Sequence, residues 1–304
     1  MDQRILDEID RIIDAYFHVS DLNSLLKQFV RDKANEGGRV WSDFTITIHH
    51  TLGGHSPLLY ERAALTELLI LALDIVDDLQ DQDNGEKPWM TCDPAFALNA
   101  VIAFLVAAMG ELSKSNRVHT PKLLQLITQS INGQQRDISN AVQTENDYIL
   151  MVQEKSASLI NMAFCMGYLD IDDCSSAIID QIDELAQYIG ITSQLENDTR
   201  DVQRIDQKND LLQKKKTLPI LFLLKQSEEK FPPLLHYFEG KISRDDMILL
   251  KPECLAFIEQ SGCIEYARTI QYLFADKAEQ IIDSLPIQSS WKDRLKTTLG
   301  VANS

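Results

Sequence analysis

The stretch Glu67-Leu-Leu-Ile-Leu-Ala-Leu-Asp74-Ile-Val-Asp77-Asp78-Leu-Gln-Asp81-Gln-Asp83-Asn84 is an apolar helical run that turns acidic at its end. At about 100° per residue, Asp74, Asp77, Asp78 and Asp81 fall within one arc, whereas Asp83 points elsewhere. A helix C-terminus repels carboxylates through its macrodipole, and like charges a turn apart oppose folding further. Acids gathered there call for a cation. A hard divalent ion such as Mg2+, which takes carboxylate oxygens and shares its site with substrate phosphates, supplies one. A solvated helix end in an acidic protein is the alternative this segment leaves open.

A second segment, Gln194-Leu-Glu196-Asn197-Asp198-Thr-Arg200-Asp201, ends another apolar run over 178–195. Asn197, Asp198 and Asp201 repeat the D-D-x-x-D spacing, with Asn in the first place. Two helix-borne clusters of matched spacing are expected to face each other across a cavity and hold metal between them. The candidate ligands are Asp77, Asp78, Asp81, Asn197, Asp198 and Asp201.

Composition bounds the answer. With 304 residues, 44% of them apolar and only 12 Gly and 9 Pro, the chain favours long helices. Acidic residues outnumber basic ones by 46 to 29, a net charge of −17 that argues against nucleic acid or an anionic membrane as partner. An anionic substrate therefore needs metal or local lysines. The five cysteines form no C-x-x-C pair and are odd in number, which implies reduced thiols and a cytoplasmic setting. The first residues carry charges where a signal peptide has its apolar region. The most apolar stretch, 95–110, is broken by Asn99 and short for a bilayer, so a buried helix is expected and no membrane span.

Helix-start signals stand at Ser56-Pro57, with Ser as N-cap and Pro in the first turn, and at Asp93-Pro94, Thr120-Pro121 and Thr144-x-x-Asp147. Upstream, the periodicity gives two helices, the second closed by Gly37-Gly38, and a third over about 42–52. The helix begun at Ser56-Pro57 is expected to reach about Asp83. Long helices follow over 95–114, 122–140, 145–169 and 175–204, and shorter ones over 218–227, 233–240, 243–261, 264–284 and 289–300. No strand pattern intervenes. The expectation is one all-α domain, a helical bundle over the whole chain.

Between the acidic clusters lie Gly133-Gln134-Gln135-Arg136-Asp137 and Lys155-Ser156-Ala157-Ser158, each within a helix. Lys155, followed by small residues, reads either as an ammonium projected into a cavity or as a solvated surface lysine. Gln134 and Asp137 share a face and either orient metal-bound water or substrate, or hydrogen-bond along the helix surface. Downstream, Lys214-Lys215-Lys216-Thr217-Leu218-Pro219 is too short for a nucleic-acid patch and suits phosphate binding better. There is no G-x-S-x-G, H-E-x-x-H, P-loop or G-x-G-x-x-G motif. Adjacent His49 and His50 would point about 100° apart on a helix, so no shared metal is expected of them. Trp41, Trp89 and Trp291 read as packing residues.

In order, D-D-x-x-D, G-Q-x-x-D, K-[TS], Q-x-x-[DN]-D-x-x-D and K-x-T-L-P resemble the trans-isoprenyl diphosphate synthases over 53–219. The resemblance implies an isoprenoid synthase-like all-α fold around a central cavity and a possible homodimer. It implies Mg2+ held by Asp77, Asp78, Asp81, Asp198 and Asp201 on an allylic prenyl diphosphate, with Lys155 and Lys215 gripping the diphosphate. Gln194, Lys214, Gln134 and Asp137 join the substrate-binding set, and Leu69, Ala72 and Leu73 would line the prenyl tail's pocket. The departures are informative. The family's G-G-K-x-x-R, which binds isopentenyl diphosphate, reads Gly53-Gly54-His55-Ser56-Pro57-Leu58, and its arginine pair is replaced by Gly85-Glu86-Lys87. That split resembles the ComQ branch, which attaches geranyl or farnesyl to a tryptophan of a ComX pheromone precursor peptide in quorum sensing for competence. An uncharged indole needs no arginine cradle. An ordinary short-chain prenyl diphosphate synthase and a silent isoprenoid- or peptide-binding protein remain as alternatives. A cyclising terpene synthase is disfavoured because Ile205 stands where that family wants an acid.

Overall fold

The computed structural model describes residues 1–37, 40–82, 84–114, 120–171, 174–204 and 210–301; Gly38, Asp83 and Ile205 lie outside them. Among the described residues there is no strand. The helices are α1 Gln3–Tyr16, α2 Ser20–Asn35, α3 Trp41–Thr51, α4 Leu59–Asp81, α5 Pro88–Thr91, α6 Pro94–Ser113, α7 Thr120–Ile138 and α8 Glu145–Val152. A π-helical turn, Gln153–Ala157, leads into α9 Ser158–Tyr168 and α10 Ser176–Asp201. There follow α11 Leu218–Lys230, α12 Pro232–Phe238, α13 Arg244–Leu249, α14 Lys251–Ser261, α15 Cys263–Ser284 and α16 Ser289–Leu299.

The chain, read from sequence as one domain, groups into two units. The first comprises Met1–Thr128, Leu159–Ala186 and the segment from Ile281; the second comprises Gln129–Ser158 and Gln187–Gln280.

In the first unit α1, α3 and α6 pack on α4. Every residue of α4 from Arg62 to Ala72 is buried, and Ala63, Ala64, Leu65, Leu68, Leu69, Ile70 and Ala72 have no exposure at all, as an interior helix requires. The start of α4 differs from the expectation. Ser56 donates its N–H to His49 Nε2 at 3.0 Å and accepts from the Leu58 N–H at 3.1 Å, so Ser56-Pro57 form a pinned turn and the helix begins at Leu59. His49 is buried, with Nδ1 donating to the Gly167 carbonyl at 2.8 Å. At the other end Gln82 takes a left-handed φ of 55°, which stops α4 at Asp81. Helix α6, 20 residues long with a mean hydropathy of 2.0 over an 18-residue stretch, is long and apolar enough to cross a membrane, yet half of that stretch is buried in the protein. Its uncovered face, Leu98, Asn99, Ile102 and Val106, carries no charge.

The second unit has a core of Val202, Leu211, Ile220, Leu223, Leu234, Met247, Cys254 and Ile258, with α11 packed on α8, α12 and α14. The run read as one helix over 243–261 breaks at Leu250, because Pro252 lacks an N–H and in a continuous helix its ring would clash with the carbonyl four residues earlier, that of Ile248. The run over 145–169 is interrupted by the π turn. Its N-terminus is a capping box: Thr144 Oγ1 accepts from the Asp147 N–H at 3.1 Å, and Asp147 accepts from the Thr144 N–H at 2.8 Å.

Arg62 of α4 donates Nε to Asp170 at 2.8 Å, and the two side chains are only 2% and 3% exposed. Removing one partner strands a buried charge. Arg62→Met is expected to cost about 3–5 kcal/mol in urea unfolding at neutral pH, with part of the loss recovered when Asp170→Leu is added. A loss as small as a surface pair's would show that the ion pair contributes little.

Candidate active site

At the end of α4, two of the acids that helical spacing puts on one arc, Asp74 and Asp78, have different partners. Lys33 holds Asp74 at 2.8 Å. Asp78, buried, accepts from Asn84 Nδ2 at 2.6 Å through one oxygen and from Trp89 Nε1 at 2.7 Å through the other. Asp77 and Asp81 are half-buried. Among the described residues no three His, Cys, Asp or Glu side chains gather closely enough to form a ready-made metal nest. Trp89 is wholly buried on α5, edge-on to Phe29, and its N–H orients a motif carboxylate. The sequence reading assigned Trp89 to packing because no spacing rule connects residues 78 and 89. Lys87, the remaining cation of the Gly85-Glu86-Lys87 turn, binds Glu36 at 2.6 Å and Asp32 at 2.9 Å. His55 is exposed. Leu69 and Ala72 are wholly buried and Leu73 half-buried.

In the second unit the structure brings together residues that the sequence placed in separate motifs. Lys155, within the π turn, donates to Asp137 Oδ2 of α7 at 2.7 Å, and Lys215 Nζ stands 3.7 Å from the same oxygen. The two lysine side chains are 20% and 18% exposed, so neither is a solvated surface lysine. Lys214 has a left-handed φ of 59°, and its ammonium lies 4.6 Å from the Tyr237 ring centre rather than beside Lys215's partner. Gln134 is half-buried on α7. From the π turn, Ser156 Oγ donates to Gln194 Oε1 at 2.8 Å, and Gln194 Nε2 donates to Asp198 Oδ1 at 2.7 Å. The other oxygen of Asp198 accepts from the buried Tyr148 hydroxyl at 2.6 Å. Tyr148 was absent from the sequence-derived set, since a tyrosine on an apolar helical face reads as core. Asp201 is half-buried and Asn197 exposed.

The electrostatics divide the unit's acids. Burial is the largest influence on Asp137 and pushes its carboxyl up, but Lys155 and Lys215 outweigh it, and the net shift is downward. Asp198 is shifted upward, first by burial and then by the charge of Asp210, against the hydrogen bonds of Tyr148 and Gln194. Asp210 is raised as well, by burial foremost. Asp137 is thus a neutralised anchor, whereas the hydrogen-bond donors to the buried Asp198 carboxyl among the described residues, Tyr148 and Gln194, are neutral. An all-oxygen donor set at such a site fits a hard divalent ion that completes its coordination with water and phosphate oxygens.

Acid-ended helices and lysines on a shared aspartate in an all-α chain are the make-up of an isoprenoid synthase. The polyprenyl synthetase family model matches residues 23–248, and the chain belongs to that family as a prenyl transferase. It is 30% identical over 237 residues to the tryptophan prenyltransferase ComQ of Bacillus spizizenii, covering 77% of this chain and 84% of that one. It is 27% identical over 301 residues to the ComQ of Bacillus subtilis subsp. natto (strain BEST195), covering 96% and 90%. In fold it is similar to a polyprenyl synthase from Caulobacter crescentus CB15, solved with calcium and isoprenyl diphosphate, at TM-score 0.83 and 17% identity, covering 99% and 94%.

Because Asp137 is depressed below its unfolded value, its ionised form stabilises the fold above the unfolded pKa, and the contribution is lost as pH falls through the folded pKa. Asp137→Asn is therefore expected to lower stability by about 1–3 kcal/mol at pH 7, with the deficit closing below about pH 4. Urea unfolding of both proteins across that range checks it; a deficit that does not change with pH would assign the effect to packing.

Proposed function

We propose that this chain transfers a geranyl or farnesyl group from its diphosphate to a tryptophan of a ComX-like pheromone precursor peptide, as a step in quorum sensing for competence. The observation that carries the reading is the state of Lys87. The one cation left in the turn after the first acidic motif is held by Asp32 and Glu36, and exposed His55 stands where the family's lysine would be. A second diphosphate finds no cradle in these segments, whereas a neutral indole needs none. The two ComQ relatives support the same acceptor.

Lys155 and Lys215 hold the allylic diphosphate and stabilise the charge that develops on it as the C1–O bond breaks. Within the first unit, Asp77, Asp78 and Asp81 are residues that would hold Mg2+; within the second, taken by itself, Asn197, Asp198 and Asp201 are residues that would do so. When bound, the ion supplies Lewis-acid neutralisation of the departing diphosphate. The C–O electron pair leaves with the diphosphate, and indole C3 captures the allylic cation to form the new C–C bond. Closure of a ring by the peptide nitrogen releases one proton, which diphosphate or water accepts, so no general base is assigned. Buried Leu69 and Ala72, with half-buried Leu73, receive the prenyl chain. A second copy of the chain is proposed to cover the charge-free face of α6, a homodimer whose apolar contact would spare that face from water.

With purified protein, Mg2+ and farnesyl or geranyl diphosphate, a tryptophan-containing ComX-like peptide is expected to gain a prenyl mass by mass spectrometry, while isopentenyl diphosphate yields no lengthened product. A lengthened diphosphate beside an unmodified peptide would establish the chain as a prenyl diphosphate synthase instead. Neither product nor diphosphate release would mark a binding protein.

Asp198→Asn is expected to abolish transfer yet leave the metal-free protein at least as stable at neutral pH. A raised folded pKa means that the native state loses stability as pH rises through it, and the amide removes that loss. Thermal melts without metal, paired with turnover at limiting Mg2+, check it; near-normal turnover would remove Asp198 from the ligand set.

A further inference from the structure

The π turn that carries Lys155 is flanked by two helix-interior glycines. A Cβ on Gly133 of α7 would lie 2.2 Å from the Lys155 backbone nitrogen and 2.6 Å from its Cα. One on Gly190 of α10 would lie 2.4 Å from both Cα and Cβ of Ala157 and 2.9 Å from its nitrogen. Neither glycine has a positive φ, so ordinary helical backbone does not require glycine there. Each costs its helix about 1 kcal/mol relative to alanine. What they supply is space, and the neighbour that fills it is backbone, which cannot swing aside.

The placement repeats on both sides. Gly133 stands one turn before Asp137, which receives the Lys155 ammonium at 2.7 Å; Gly190 stands one turn before Gln194, which receives the Ser156 hydroxyl at 2.8 Å. Each helix therefore admits the π turn's backbone at a missing Cβ and grips its side chain one turn further on. A π turn inserts an extra residue and widens the helix locally; here the widened part is the part that the glycines admit.

We infer that Gly133 and Gly190 are positioning residues: by pinching the π turn between two helices they set where Lys155 stands and, through Ser156 and Gln194, how Asp198 is turned. This rests on the reading that Lys155 binds the allylic diphosphate, and the experiment separates the two. The full-length variants Gly133→Ala, Gly190→Ala, Lys155→Ala and Gly167→Ala are compared with the parent for calorimetric affinity to inorganic diphosphate with Mg2+, for KM and kcat with farnesyl diphosphate, and for Tm. Gly167→Ala is the control, since its Cβ would meet the Thr45 carbonyl oxygen at 2.6 Å, a matched clash in the other unit. Ala157→Gly loosens the same turn without a clash and keeps the comparison available if an alanine variant does not fold.

The expected result is diphosphate affinity weakened about tenfold, the size of one charge-assisted contact, in Gly133→Ala, Gly190→Ala and Lys155→Ala. Ala157→Gly should weaken it severalfold, and Gly167→Ala should lose Tm while keeping the affinity. Folded glycine variants, or Ala157→Gly, that keep parental affinity while Lys155→Ala loses it would overturn the positioning role and leave the Lys155 reading standing. Parental affinity in Lys155→Ala would overturn both.

Discussion

The site in the second unit depends on a constraint of space: the approach of the Gln153–Ala157 backbone to α7 and α10 at positions where no β-carbon stands. A lysine reaches one aspartate and a serine reaches one glutamine only because the intervening backbone is admitted that closely. Close packing makes such a placement unforgiving, since interiors have few voids into which a displaced turn can relax. The cost of helix-interior glycine is small beside what the arrangement delivers, a cationic group and a hydrogen-bonded relay to Asp198 set by one turn.

On that frame the charges are distributed unequally. Asp137 lies between two ammonium groups and stays ionised despite its burial. Asp198, a few residues beyond the same relay, is held among the described residues by two neutral donors. Two lysines thus flank one buried acid, while neutral donors hold the other. The first unit repeats the division: Asp74 is held by Lys33, Asp78 by an indole and an amide, while Lys87 is held between Asp32 and Glu36. A chain of net charge −17 has few cations to spend. Where each goes decides which acids are neutralised, and in the 85–87 segment Lys87 is bound to Asp32 and Glu36.

The uncovered face of α6 and the interior position of α4 show how composition alone misreads a helix. Both are strongly apolar, yet α4 is wrapped on every side while α6 keeps a charge-free strip in the open. Hydropathy records how much apolar surface a helix has and is silent on what covers it.

Helical class, the two acid-ended helices and the lysine motifs were legible in the sequence, because periodicity, capping residues and D-D-x-x-D spacing act over a few residues. Helix ends were legible to within a turn where a single cap decided them, as at Thr144, and misread where a distant partner intervened, as where His49 captures Ser56. The division of the acids was not legible. Lys33 reaches Asp74, Trp89 reaches Asp78 and Tyr148 reaches Asp198 across separations that no local rule spans. Nor was the π turn, since glycine within a helical run signals only weakened propensity until the backbone that occupies its missing Cβ is known. Sequence by itself determined which groups can carry the chemistry; tertiary structure decided which of them are already committed to one another, because burial and hydrogen bonding are set by whatever the folded chain brings alongside.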